Sequence, residues 1–252
     1  MSFIITWYMD IGLRENQEDC LFVNGKLYQQ NTFKRPLAQT IKSPKGLFAV
    51  CDGMGGHAKG EWASRFVCKK LKEYRKDITC SRENLKNVFK KMQLKIEEEG
   101  VINCGTTVAC VVSDGDRTML CNAGDSRIYK ITPDDILYLS HDHSFVQSMV
   151  DQGYLSQDDM FRHPNRNVIE FGIGDIFKKK WVRGDREVYV KDDILRAGEF
   201  YLLCTDGVND VLRDSEIYDI LHADPFNRVG EFIRNVREGV KDNFSFIIIG
   251  LC

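Results

Sequence analysis

No apolar run in this chain approaches the ~18 residues that a membrane-crossing helix needs. Neither sign of charge dominates, since 35 Lys and Arg stand against 37 Asp and Glu for a formal charge of -2. The first absence argues against a membrane protein, and the second removes the basic excess that nucleic-acid binding requires. Proline is scarce and scattered, five in 252 residues. No Pro/Gly/Ser-rich linker, internal repeat or low-complexity tract divides the chain. The first ten residues carry neither a basic start nor a small-residue cleavage site, so no secretory signal is expected. Nine cysteines are present, but no two are spaced C-x-x-C, which argues against a zinc site or a redox pair. Cys51, Cys110 and Cys204 fall in apolar runs, where cysteine behaves as a small buried hydrophobe. Reduced thiols in a cytoplasmic protein are the expectation.

What is there is ordinary globular chemistry, 43% apolar and 29% charged. The length fits one large domain or two small ones, and without a linker one domain over residues 1–252 is expected. Apolar stripes at helical spacing run through Leu85, Val88, Phe89, Met92 and Ile96, and through Trp62, Phe66, Val67, Leu71 and Tyr74. Another runs from Phe226 through Val229, Phe232, Ile233 and Val236 to Val240, with Asp224 as cap and Pro225 in the first turn. A shorter stripe joins Phe145, Val146, Met149 and Val150, followed by a weak capping box at Ser156 and Asp159. All four stripes are read as core. Short β-branched and aromatic runs at 46–51, 107–112, 117–123, 126–131, 200–205 and 244–251 read as strands. Asp114-Gly115 between two of them is a hairpin signal, so pairing is antiparallel. Helices lie outside the strand runs rather than alternating with them, which favours an α+β layered sheet over a doubly wound fold.

Two phosphatase-like motifs are weighed and set aside. Asp114 to Thr118 fits D-x-D-x-T, but the chain continues as a strand where that chemistry wants a helix. Cys121 to Arg127 fits C-x5-R, but Asp125 would repel an anion inside such a loop and Arg127 leads into a strand.

A different pattern carries chemistry. Asp52, Asp125 and Asp206 follow apolar runs, Asp242 precedes one, and Asp19 closes Arg14-Glu-Asn-Gln-Glu-Asp. A single Asp-Gly is most simply a turn. Five carboxylates at strand ends sit on rigid supports, and convergent carboxylates repel unless cations bind. An all-oxygen donor set suits Mg²⁺ or Mn²⁺ and argues against zinc.

These stretches resemble the metal-dependent protein phosphatases of type 2C (PPM), especially the compact bacterial members. The matching text covers nearly the whole chain. It runs through Gly12–Asp19, Cys51–His57 with Gly60-Glu61, Gly105–Thr107, Gly124–Arg127, Asp142–Ser144, His163–Asn167, Cys204–Val208 and Asp242-Asn243. The resemblance implies a four-layer α-β-β-α sandwich, two antiparallel sheets flanked by helices. It implies a protein serine/threonine phosphatase in which a hydroxide bridging two Mn²⁺ or Mg²⁺ ions attacks phosphorus, with no covalent enzyme intermediate. In that reading Asp52 bridges both ions and the Gly53 carbonyl is a further ligand. Asp206 and Asp242 bind one ion, and Asp125 with Asp206 helps hold a third. Glu18 and Asp19 orient water beside the metals, Asn243 is supportive, and Arg14 grips the substrate phosphate. Partners would be phosphorylated proteins, among them a Ser/Thr kinase or its targets, and a monomer is expected.

Met54 stands where eukaryotic members carry His, and a thioether donates no proton; it is given no catalytic role. His57 is read as ordering its loop, and His141 and His143, taken to lie at a strand end, as structural. Residues 144–180 resemble the family's flap, ending in Lys178-Lys179-Lys180, which reads equally as a guide for acidic phosphoproteins or a solvated run. A catalytically silent phosphoprotein-binding module on the same fold would have lost metal carboxylates, yet Asp52, Asp206 and Asp242 all remain. A phosphatase for small esters or phosphotyrosine would need one of the two discarded motifs.

Overall fold

The computed structural model describes residues 2–55, 59–115, 117–223 and 227–251. His57, Asp116, Asp224, Pro225 and Phe226 therefore lie outside the described residues. Two six-stranded sheets form the centre. The first is ordered β11 (Ile136–Tyr138), β10 (Arg127–Ile131), β13 (Phe200–Cys204), β14 (Phe244–Leu251), β1 (Phe3–Asp10), β4 (Leu37–Ile41). The second is ordered β12 (Tyr189–Asp193), β9 (Thr118–Ala123), β8 (Val108–Ser113), β5 (Gly46–Cys51), β2 (Cys20–Val23), β3 (Lys26–Tyr28). Every pair in both sheets is antiparallel. A two-stranded ribbon, β6 (Gly53–Met54) with β7 (Gly105–Thr106), lies beside them.

The sheets pack face to face over one apolar core, in which Phe3 of β1 meets Phe48 of β5 edge-on, 5.8 Å between ring centres. Helices cover the outer faces. On the second sheet α1 (Lys59–Glu73) and α2 (Arg82–Glu98) bury the two expected stripes against Phe22, Leu47, Cys110 and Met119. On the first, α7 (Asp214–Ala223) and α8 (Arg228–Gly239) bury Ile217, Leu221, Phe232 and Val236, and Phe232 packs on Phe246 of β14. This is the four-layer α-β-β-α arrangement. It explains why β5, β8 and β14 read as unbroken apolar runs, because both faces of each central strand are covered. Shorter helices α3 (Phe145–Asp151), α4 (Gln157–Met160), α5 (Lys178–Arg183) and α6 (Asp206–Asn209) lie in the connections.

Two readings need correction. The α3 stripe is not all core: Val146 is buried, but Phe145 is 37% exposed and rests against the His163 ring. A seven-residue helix in a surface connection has only one side to bury. His141 and His143 are not at a strand end, because β11 stops at Tyr138 and both lie in the connection to α3. Their structural reading survives, since His143 is buried with Nε2 2.9 Å from the Glu187 carbonyl, and His141 faces Asp151 at 3.0 Å.

Candidate active site

Antiparallel pairing sorts strand ends. Cys204 at the end of β13 pairs with Phe246 near the start of β14, and Asp10 at the end of β1 pairs with Phe244. In the other sheet Cys20 at the start of β2 pairs with Cys51 at the end of β5, and Val108 pairs with Ala123. The same end of both sheets thus carries the residues just beyond those strands: Asp19, Asp52, Asp125, Asp206 and Asp242. Arg14, Glu18, Asp52, Gly53, Asp206 and Asp242 line one cleft of about 650 Å³ with Asn167, Glu170 and Lys180 from the 144–180 segment. Asp125 lines an adjoining cavity of about 550 Å³, and Asp206 faces both.

Hydrogen bonds brace the loops that carry these residues. The Asp52 amide donates to Thr107 Oγ1 at 3.1 Å, and its carbonyl accepts from the Thr107 amide and Thr106 Oγ1, both at 2.8 Å. Asn243 accepts from the Glu18 amide at 2.7 Å and donates to the Ile11 and Asn16 carbonyls. It thereby pins the 11–18 loop to the start of β14. Thr205 donates to Asp19 Oδ2 at 3.0 Å. Gly53 and Gly60 touch through their backbones, and a Cβ on Gly53 would collide with the Gly60 carbonyl. Gly12 has φ +59 and lies against the Asp242 carbonyl, so the Arg14 loop needs glycine there twice over. Thr107 and Asn243 hold the site together. Both stand in motifs the sequence displays, but nothing in the sequence told that Thr107 would clamp the Asp52 backbone.

The electrostatics are those of crowded anions. Burial, then the charges of Asp206, Asp19 and Asp125, lifts Asp52 well above the usual carboxylate range. Burial, then Asp210 and Asp242, pushes Asp206 up to about 7. Burial pushes Asp19 to about 8 against the hydrogen bond it accepts from Thr205. Asp125 rises well above its ordinary value through burial and Asp206. Arg14 pairs with Asp242, half of its side chain in solvent.

A carboxylate oxygen on each of Asp19, Asp125 and Asp206 is buried without a hydrogen-bond partner among the described residues. Buried carboxylates left this way cost several kcal/mol unless something positive meets them. Among the described residues no three His, Cys, Asp or Glu side chains close into a ready-made cage. The donors that line the clefts are oxygens, and Mg²⁺ and Mn²⁺ take oxygen ligands, keep waters and need only one or two carboxylates each. The all-oxygen set therefore fits hard divalent ions.

The described residues of the two discarded motifs have structural roles. Asp114 and Gly115 make the β8–β9 hairpin, Gly115 at φ +109. Cys121 is buried in β9, and contact with Cys110 together with burial raises its thiol far above nucleophilic range. Arg127 is spent on Asp142, Nη2 to Oδ2 2.7 Å.

The model of a family described as protein phosphatase 2C matches residues 35–242. The chain belongs to the protein phosphatase 2C family. It is an enzyme of protein dephosphorylation. The serine/threonine phosphatase stp of Listeria welshimeri is 27% identical over 222 residues, which is 82% of this chain and 85% of that protein. The crystal structure of the Mycobacterium tuberculosis serine/threonine phosphatase PstP/Ppp superposes with a TM-score of 0.77 at 26% identity, covering all of this chain and 99% of that one. The PstP catalytic domain in complex with two manganese ions shares the fold, with a TM-score of 0.73, 24% identity and 99% of each chain covered. Family membership and the α-β-β-α fold agree with the sequence reading.

Proposed function

We propose that this phosphatase hydrolyses phosphoserine and phosphothreonine in proteins, with two Mn²⁺ or Mg²⁺ ions held by Asp52, the Gly53 carbonyl, Asp206 and Asp242, and a third at Asp125. The observation that carries the reading is the convergence of these carboxylates, with buried unpartnered oxygens on Asp125 and Asp206, in clefts that meet at Asp206. A fold neighbour crystallised with two manganese ions supports the metal. When bound, such ions lower the pKa of a shared water and neutralise phosphoryl oxygens.

The chain's own groups do the rest. Arg14 offers a planar guanidinium to two phosphate oxygens, and its charge opposes what accumulates on the transferring group. Asp19 and Glu18 accept hydrogen bonds from water beside the ions and so fix its orientation. Asn243 holds the Glu18 backbone, and Thr107 holds that of Asp52. Water is the nucleophile, the serine or threonine oxygen leaves, and no protein side chain is phosphorylated on the way. Residues 144–180 act as the flap beside the cleft, and a Ser/Thr kinase or its targets supply the phosphoproteins.

Phosphate release from a phosphothreonine peptide tests this. Turnover with Mn²⁺ should vanish in chelator and in Asp52→Asn, and persist in Cys121→Ser. Turnover that survives chelation, or that is lost in Cys121→Ser and kept in Asp52→Asn, would overturn it.

A further inference from the structure

The charge of this chain is unevenly placed. Residues 59–98, which hold α1 and α2, carry 12 Lys and Arg against 6 Asp and Glu. The remainder carries 23 against 31. The basic residues concentrate on one helical layer. Lys69 and Lys72 of α1 and Lys90 and Lys91 of α2 are exposed, and none has an acidic partner among the described residues. Lys91 and Lys70 sit over the same Tyr74 ring, 4.2 and 5.9 Å from its centre, so the two helices bring their cations together rather than apart. In their midst Leu94 is 53% exposed, one turn on from Lys90 and Lys91. The layer leads to the active site: α5 packs on α2, Lys178 pairs with Glu97 at 3.1 Å, and Lys180 of the same helix lines the catalytic cleft.

Like charges on adjacent helices repel, and an anionic partner relieves that repulsion. An apolar side chain left in such a field adds a contact that a purely ionic partner would not use. We propose that the α1–α2 face is a docking surface for an acidic, leucine-containing segment of the phosphoprotein substrate, remote from the phosphorylated residue. The inference rests on the phosphatase reading above and adds how a protein substrate is chosen. Docking tethers the substrate, so it raises local concentration at the cleft and acts on KM rather than on kcat.

Two phosphothreonine peptides test it. One is neutral, and the other carries the same core joined by a Gly/Ser linker to an Asp/Glu-rich segment containing leucine. At low ionic strength the acidic extension should raise kcat/KM roughly tenfold, through KM, and added salt should erase the gain. Lys90→Glu/Lys91→Glu should abolish the gain while leaving p-nitrophenyl phosphate and the neutral peptide unaffected, and Leu94→Ala should remove part of it. If the charge reversal fails to fold, Lys90→Ala/Lys91→Ala serves, with intact p-nitrophenyl phosphate turnover as its control. No gain in the wild type, or a gain that survives the lysine substitutions, overturns the proposal. So does binding to phosphatidylserine vesicles with no effect of the acidic peptide, which would make the face a lipid surface. Anisotropy of the unphosphorylated acidic segment reads docking without catalysis. Tight binding there with no phosphate release from any substrate would sink the phosphatase reading and leave the docking face standing.

Discussion

Asp206→Asn should stabilise the metal-free protein. In chelator no metal answers the charges at the sheet ends, Arg14 offsets them only in part, and Asp206 is pushed from 3.8 up to about 7 by burial, Asp210 and Asp242. At 1.36 kcal/mol per unit, keeping it ionised costs at most about 4 kcal/mol. The repulsion is shared with Asp52, Asp19 and Asp125, so one substitution should return about 2 kcal/mol. For a chain of this size that is a rise in Tm of roughly 4–8 °C. Asparagine is nearly isosteric, and Asp206 Oδ1 has no hydrogen-bond partner to lose among the described residues. The pH dependence has a fixed sign. A carboxyl whose folded pKa is raised contributes stability fully present below 3.8 and lost as pH climbs through about 7. Wild type in chelator should therefore lose stability between about pH 4 and pH 7, and the variant should lose less. With Mn²⁺ the order reverses, because wild type gains about 2.7 kcal/mol at a hundredfold excess over Kd and the variant gains little. Scanning calorimetry of both proteins, in chelator and in Mn²⁺ across this pH range, measures all of it. A variant less stable than wild type in chelator would refute the reasoning.

Arg14→Ala should cut kcat/KM for phosphopeptides by roughly a hundredfold, and wild-type values in steady-state assays would remove it from phosphate binding. Asp125→Ala should change the Mn²⁺ dependence of turnover while two ions still bind, which isothermal titration can count; loss of both would contradict a separate third site. Gly53→Ala should destabilise by about 1–3 kcal/mol in urea denaturation, since its Cβ has no room beside Gly60 and the Glu18 carbonyl, and an unchanged midpoint would contradict that packing. Asp10 lies below its ordinary 3.8: burial pulls it upward, but the Gly12 amide and Arg237 outweigh that. Its contribution is present above 3.8 and lost as pH falls further, so Arg237→Ala should raise the midpoint of acid unfolding followed by circular dichroism.

The layers were legible because the central strands are covered on both faces and read as unbroken apolar runs. Edge and short strands were not. β4, Leu-Ala-Gln-Thr-Ile, is largely solvent-facing, and β12, Tyr-Val-Lys-Asp-Asp, fully buries only Val190, so neither carries such a signal. β1 reads as a strand only once β14 lies beside it, residue for residue from Phe3 opposite Leu251 to Asp10 opposite Phe244. α7 buries only Ile217 and Leu221, too few to mark a stripe. The site was legible as a set of acids at strand ends, because rigid ends are where convergent ligands can be held. What joined them was not. The Thr107 clamp on Asp52 and the Asn243 bridge to Glu18 are backbone to side-chain hydrogen bonds between residues far apart in sequence, and the Gly53–Gly60 contact is a close backbone approach; no local spacing encodes any of them. The basic α1–α2 face emerges only once the two helices are packed side by side.

Anomalous diffraction from crystals grown in manganese tests the central claim most directly. The account predicts two strong peaks within bonding distance of Asp52, one of them shared with Asp206 and Asp242. Clean data with no peak in that cleft, at a manganese concentration that supports turnover, would contradict it.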